Sequence, residues 1–141
     1  MSRIGDDGMD LEMVDFIEDA TLLFIASQSP EGKVDVSPRG GQPRVLWRDD
    51  EGRLLLPDYM GNRRLDTIGN VLGRPEVVLV VLRRGADRFL RLRVRAEVST
   101  READIAMFPA DRDRPMTVLT FTPHAAEFVE SPAFDRAGVL A

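Results

Sequence analysis

Arg88-Phe-Leu-Arg-Leu-Arg-Val-Arg-Ala-Glu-Val98 places Leu90, Leu92, Val94, Ala96 and Val98 on one side of an extended chain. Arg91, Arg93, Arg95 and Glu97 fall on the other side. The period of two predicts a β-strand with one face in a core. Its arginine row is most simply a solvated face, because charged side chains seldom leave water, although Arg91 could stand at the edge of a ligand.

Reading outward from this strand, Glu76 to Leu82 is a continuous apolar strand. Arg101 to Phe108 fits a short helix capped by Thr100, and Met116 to Val129 a final strand or strand pair broken by Pro123. Toward the N-terminus, Arg44–Arg48 and Arg53–Leu56 form a hairpin around Asp49-Asp-Glu-Gly52. Thr21–Ser27 and Lys33–Pro38 form another around Ser29-Pro-Glu-Gly32, with Val34 and Val36 alternating against polar neighbours. Asp10 to Ala20 carries Leu11, Val14 and Ile17 among acidic residues, the pattern of a short amphipathic helix packed on a sheet. The first eight or nine residues read as a mobile leader. Six or more strands with hairpin connections and a few short helices predict a mainly β, antiparallel barrel, closed or partly open.

The chain has 141 residues, 43% of them hydrophobic, which suits a single domain spanning 1–141. The absence of cysteine excludes disulfides, thiolate metal sites and cysteine nucleophiles. No apolar run is long enough to span a bilayer, and the acidic start lacks the basic and apolar parts of a secretory leader. A cytoplasmic location, without membrane or nucleic-acid partners, is therefore expected. The net charge of −5 is unevenly spread. Residues 33–95 carry 14 Lys/Arg against 8 Asp/Glu, while the flanking segments are acidic, so a local anion site is possible without a polybasic surface.

Two stretches carry candidate chemistry. In Pro57-Asp-Tyr-Met-Gly-Asn-Arg-Arg-Leu-Asp-Thr-Ile-Gly-Asn70, turn formers follow the apolar run Leu54–Leu56. Asn62 is a good N-cap, and Leu65, Ile68 and Leu72 recur at helical spacing until Gly73 and Pro75. Arg63 and Arg64 then open a helix whose dipole is already positive there, a placement favoured by a bound anion such as a phosphate. Alternatively, Arg63 pairs with Asp66 along the helix and both arginines are ordinary surface residues. In Asp35-Val-Ser-Pro-Arg-Gly-Gly41, Ser37 and Arg39 offer a hydroxyl and a planar charged fork, and the glycines permit close approach. The bland alternative is a turn with a locally bonded serine and a surface arginine.

Together the two stretches resemble the flavin-binding split-barrel family that includes the pyridoxamine 5′-phosphate oxidases, and more closely its small members. The resemblance covers roughly residues 14–130 by order of elements and implies a split β-barrel with short flanking helices. It also implies FMN as cofactor and an FMN-dependent oxidoreductase activity on a small molecule. By that likeness Arg63 and Arg64 clamp the phosphate, Asn62 and Ser37 bond it or the ribityl chain, and Arg39 adds charge. Pro57 and Asp58 contact the ring or ribityl group. The family further implies a homodimer with flavin sites in its interface. A non-catalytic flavin carrier, or a reductase using the deazaflavin coenzyme, is an alternative on the same scaffold.

The chain also departs from the vitamin enzymes. After residue 130 it has no Trp, Tyr or His and a single basic residue, Arg136, where those enzymes place a basic, aromatic segment around a second phosphate. Phe89 replaces a flavin-contacting glutamine, and Arg93-Val94 replaces the Asn-Gly of close relatives. Catalytic residues are not identifiable and no metal site is expected. The lone His124, beside Pro123, reads as a loop or edge residue, and Asp49–Glu51 as turn chemistry. Trp47 and Tyr59 fit packing at a barrel wall or interface, or the lining of an apolar site.

Overall fold

The alternating strands and tight turns assemble into one seven-stranded antiparallel sheet, curled into a half-barrel. The computed structural model describes residues 8–41, 44–58, 65–108 and 115–137, with backbone alone at Leu65, Asp66 and Asp135. In chain order the elements are α1 (Leu11–Asp19), β1 (Leu22–Gln28), β2 (Val34–Gly40), β3 (Trp47–Arg48), β4 (Leu54–Asp58), α2 (Leu65–Gly73), β5 (Glu76–Leu82), β6 (Arg88–Ser99), α3 (Glu102–Ile105), β7 (Thr117–Glu130) and α4 (Ala133–Ala137). The strand order is β2-β1-β5-β6-β7-β4-β3. Among the described residues no helix is long and apolar enough to cross a membrane.

The opening stretch behaves as its alternation predicts. Leu90, Leu92, Val94 and Ala96 of β6 are buried, while Arg93, Arg95 and Glu97 are exposed. Register carries this inner face across the sheet, since Leu90 lies opposite Val81, Val81 opposite Leu23, and Leu23 opposite Arg39. Leu92, Leu79, Ile25 and Ser37 form the next row. Directly opposed residues share a sheet face, so the inner face is apolar through β1, β5 and β6 and becomes polar at β2.

Helix α1 is capped by Asp10, whose carboxylate accepts the Met13 N–H at 2.9 Å. Its buried stripe is Met13, Phe16 and Ile17; Leu11, expected to face the sheet, points to solvent. The mobile leader expected up to Gly8 or Met9 needs correction at its end. Met9 is 4% exposed within the core, and Gly8 lies against the backbone of Ala125 and Ala126. Residues 1–7 lie outside the described set.

The hairpin between β1 and β2 forms as expected. Ser29 Oγ accepts the Lys33 N–H, and Gly32 takes a positive φ of 86°. Strand β2 runs two residues past Pro38, to Gly40, and its valines face outward, Val34 at 61% and Val36 at 58% exposure. Backbone bonds from Ser29 to Lys33 and from Gly41 to Thr21 fix the hydrogen-bonded pairs of this ladder. Phe24 and Pro38 form a non-hydrogen-bonded pair in that alternation, so the missing Pro38 donor points to the free edge and costs no ladder bond.

Strand β7 is continuous over fourteen residues, contrary to the expected break at Pro123. The register against β6 shifts between Arg93 and Val94, leaving His124 as the extra residue of a bulge beside the proline. A bulge tolerates proline because the ladder is already interrupted there. The expected Thr100 cap is also absent: α3 spans Glu102–Ile105 with Arg101 at the cap position, and Ser99 Oγ accepts the Arg101 N–H. Helix α4 had no sequence pattern; Phe134 packs edge-on against Phe89 with ring centroids 5.8 Å apart.

Candidate functional site

The polar end of the inner sheet face lies on β2. Ser37 and Arg39 are two residues apart, so both side chains stand on the core side, opposite Ile25 and Leu23. Arg39 is 3% exposed, which withdraws its guanidinium from solvent, and Ser37 is half-buried. Gly41 is needed for packing: a β-carbon there would stand 2.8 Å from the Arg44 carbonyl oxygen.

Helix α2 covers this end. Thr67 Oγ1 donates to Ser37 Oγ at 3.3 Å, and one turn later Asn70 Nδ2 donates to Ser27 Oγ at 3.0 Å. The buried face of α2 is therefore Thr67, Asn70 and Val71, at positions i, i+3 and i+4. The apolar repeat Leu65, Ile68, Leu72 had suggested another face, yet Leu72 is 71% exposed and Ile68 only half-buried. The strands beneath present Ser27 and Ser37 hydroxyls, and burying these without partners costs more than burying a leucine saves. Thr67, Asn70 and Ser27 were thus missed. Their signal was the i, i+3 polar spacing, which the neighbouring apolar repeat obscured.

The structure brings Ser37 to α2, with Arg39 two residues further along the same face of β2, and puts Pro57 and Asp58 at the β4 end of the β4–α2 connection. Asp58 closes β4: its carbonyl accepts the Met116 N–H at 3.0 Å and its carboxylate the Thr117 hydroxyl at 3.3 Å. Pro57 alternates with Leu56 and so shares the sheet face of Leu55, beyond the last residue that β3 pairs. Asn62, Arg63, Arg64 and Tyr59 lie outside the described residues, as does the Arg63–Asp66 pairing.

Arg91 lies on the opposite sheet face from Ser37 and Arg39, in the row Pro38, Phe24, Val80, Arg91, Glu127. It bonds Glu127, and with Arg93, Ala125 and Ala126 the two line a cleft of about 250 Å³. His124 Nε2 lies 2.8 Å from Glu76 Oε2, and Arg95 approaches the same carboxylate at 3.5 Å. Arg91 and Arg95 of the row are thus ion-paired on the exterior, and His124 sits within a strand.

A second polar centre was not foreseen. Asp104, 3% exposed, accepts from Ser99 Oγ, from Arg53 at 2.9 Å and from Arg101 Nε at 3.1 Å. Arg53 also holds Asp49 at 2.7 Å, so the β3–β4 turn is tied to α3. Burial alone would raise the Asp104 pKa, but the hydrogen bonds from Ser99, Arg53 and Arg101 outweigh it and hold the carboxyl below its ordinary range. Burial likewise works against the Arg53 charge, and the two carboxylates more than offset it, raising its pKa. A cleft of about 250 Å³ beside this knot is lined by Asp49, Asp50, Glu51, Arg53, Ala103, Asp104 and Met107. Among the described residues no group of three His, Asp or Glu side chains is placed to hold a metal.

This half-barrel, with a polar inner end at β2 covered by a helix, can be set beside known proteins. A sequence model of the pyridoxamine 5′-phosphate oxidase family matches residues 9–130, a span that holds every strand of the described sheet. The chain belongs to that family. No curated protein sequence matches it significantly. Among solved structures, a pyridoxamine 5′-phosphate oxidase-like protein from Lactobacillus delbrueckii is 17% identical with a TM-score of 0.66, over 90% of this chain and 99% of that one. HupZ of Group A Streptococcus is 17% identical with a TM-score of 0.69, over 87% of this chain and 95% of its own. HutZ, the heme storage protein of Vibrio cholerae, is 14% identical with a TM-score of 0.61, over 84% and 92%. Identities this low show a shared pyridoxamine 5′-phosphate oxidase-like fold, and that one fold carries differently named functions.

Proposed function

We propose that this protein binds FMN and works as an FMN-dependent oxidoreductase on a small molecule. The observation that carries the reading is the Ser37–Thr67 hydrogen bond, which joins the inner face of β2, with Arg39 on it, to the first described turn of α2. A half-buried hydroxyl beside a guanidinium suits the phosphate of a flavin mononucleotide. In this reading Arg63 and Arg64 clamp the phosphate, Asn62 and Ser37 bond it or the ribityl chain, and Arg39 adds charge. Pro57 and Asp58 border the ribityl group or ring. Bound FMN would supply the electron or hydride transfer itself. This chain's own groups would bind, orient and shield it. We further propose a cytoplasmic homodimer with flavin sites in its interface, consistent with the exposed Val34 and Val36.

The family name does not make this a vitamin-forming enzyme. Phe89, in place of the flavin-contacting glutamine, packs against Phe134 of α4, and the only basic residue after position 130 is Arg136. We infer that no second phosphate site forms there and that pyridoxamine phosphate is not the substrate. A flavin carrier without turnover is the alternative, supported by the occurrence of the fold in a protein named for storage. A deazaflavin reductase is a third reading of the same basic loop.

The test is a flavin titration followed by turnover. Arg63→Ala with Arg64→Ala should weaken FMN by on the order of 2–3 kcal/mol while riboflavin, lacking the phosphate, loses far less. Equal losses for both ligands would remove the clamp. FMN reduced by a nicotinamide donor and reoxidised repeatedly supports the enzyme. Tight flavin that never turns over supports the carrier, and preference for the deazaflavin coenzyme supports the third reading.

A further inference from the structure

Helix α2 bonds to two neighbouring strands through one face. Asn70 holds Ser27 on β1, Thr67 holds Ser37 on β2, and Ser27 and Ser37 occupy the same sheet face. Two hydrogen bonds one helical turn apart fix both the rotation of the helix and its slide along the sheet, which an apolar stripe would leave softer. The two hydroxyls of the second bond differ in surroundings. Thr67 is 1% exposed, so its donor must be used inside the protein, whereas half-buried Ser37 can reach a ligand. A hydroxyl carries one donor and two acceptor lone pairs. When Thr67 donates to Ser37 Oγ, the Ser37 hydrogen is left to donate elsewhere, on the face that also bears Arg39.

We propose that Thr67 is a positioning residue for phosphate recognition: by occupying Ser37 Oγ as donor, it directs the Ser37 hydroxyl hydrogen to a phosphate oxygen of the cofactor beside Arg39. This inference rests on the FMN reading above and adds to it a residue that makes no ligand contact. Thr67→Val keeps the side-chain shape and removes the donor, while Thr67→Ser keeps the donor.

The experiment titrates FMN and riboflavin into wild type, Thr67→Val, Thr67→Ser, Ser37→Ala and the Ser37→Ala/Thr67→Val double variant, by quenching of flavin fluorescence. Thr67→Val should weaken FMN about three- to tenfold and riboflavin less than about twofold, with Thr67→Ser within about twofold of wild type. In the Ser37→Ala background, Thr67→Val should have no further effect, because its influence passes through that hydroxyl. Unchanged FMN affinity in Thr67→Val, equal losses of FMN and riboflavin, or additive losses in the double variant would each overturn the proposal while leaving the FMN reading standing. A wild type that binds neither flavin would overturn both. Should Thr67→Val fail to fold, Thr67→Ala takes its place against Thr67→Ser: a selective FMN loss in Thr67→Ala that Thr67→Ser does not show supports the donor role, and equal FMN binding by the two refutes it.

Discussion

Two polar centres stabilise opposite ends of this sheet, by different physics. Under α2 the seam is neutral, hydroxyl and amide against hydroxyl, and lies within the core face. At α3 it is ionic: Asp104 gathers Ser99, Arg53 and Arg101, and Arg53 reaches on to Asp49. A neutral seam is indifferent to protons and salt, and its value lies in geometry. An ionic knot costs more to break, because it leaves a charge without its partner, and it depends on one carboxylate staying charged. Helix orientation at the candidate site is thus held by the seam that pH does not disturb.

The sharpest way to break the comparison is Asp104→Ala, which leaves Arg53 without one of its two carboxylates. A fully buried pair would lose about 3–5 kcal/mol; since the Arg101 side chain is 64% exposed, we expect about 2–3 kcal/mol in urea denaturation. A smaller effect is expected from acid. The folded Asp104 pKa is depressed, so the unfolded chain binds the proton more readily. The stabilisation is therefore complete above the ordinary carboxylate range and is lost as pH falls through the folded value. Asp104→Asn should flatten stability against pH below about 4 relative to wild type. A profile as steep as wild type would show that other carboxylates carry the acid response.

Asn70→Ala tests the neutral seam and should cost about 1–2 kcal/mol, by orphaning the buried Ser27 hydroxyl and loosening α2. Its cost should be the same at pH 7 and pH 4; a cost that shrinks in acid would mean the seam is coupled to the knot. Least of all is expected from Glu76→Gln on the exterior. Its contacts to His124 and Arg95 are exposed, so the loss should stay below about 1 kcal/mol and fade with added salt.

How much of this was legible depended on where hydropathy and position agreed. Glu76–Leu82 and Arg88–Val98 were readable because their apolar residues do face the core, and the two hairpins because Gly32 and Gly52 mark their turns. On β2 and α2 the rule runs backwards. Val34, Val36 and Leu72 point out while Ser37, Arg39, Thr67 and Asn70 point in, so a hydrophobic pattern selects the wrong face. That inversion coincides with the candidate site, where buried polar groups are expected to serve something other than packing. The Asp104 knot was unreadable for another reason: Arg53 and Asp104 are 51 residues apart, and only the folded sheet brings them together. Pro123 misled because a proline alone does not announce the bulge that accommodates it.

Pro38 has a consequence for the solution behaviour of the chain. Strand β2 ends the sheet order, and its outward backbone groups belong to Val34, Val36, Pro38 and Gly40, the two valines carrying exposed apolar side chains. Such a margin would be an aggregation hazard, since an incoming strand could extend the ladder there and begin a polymer. The proline ring removes one amide from the middle of that row, so strand addition stops after a residue or two. The same residue that leaves the β1 ladder intact therefore keeps the margin from being copied, and replacing it with a β-branched residue would turn a blunted margin into a template.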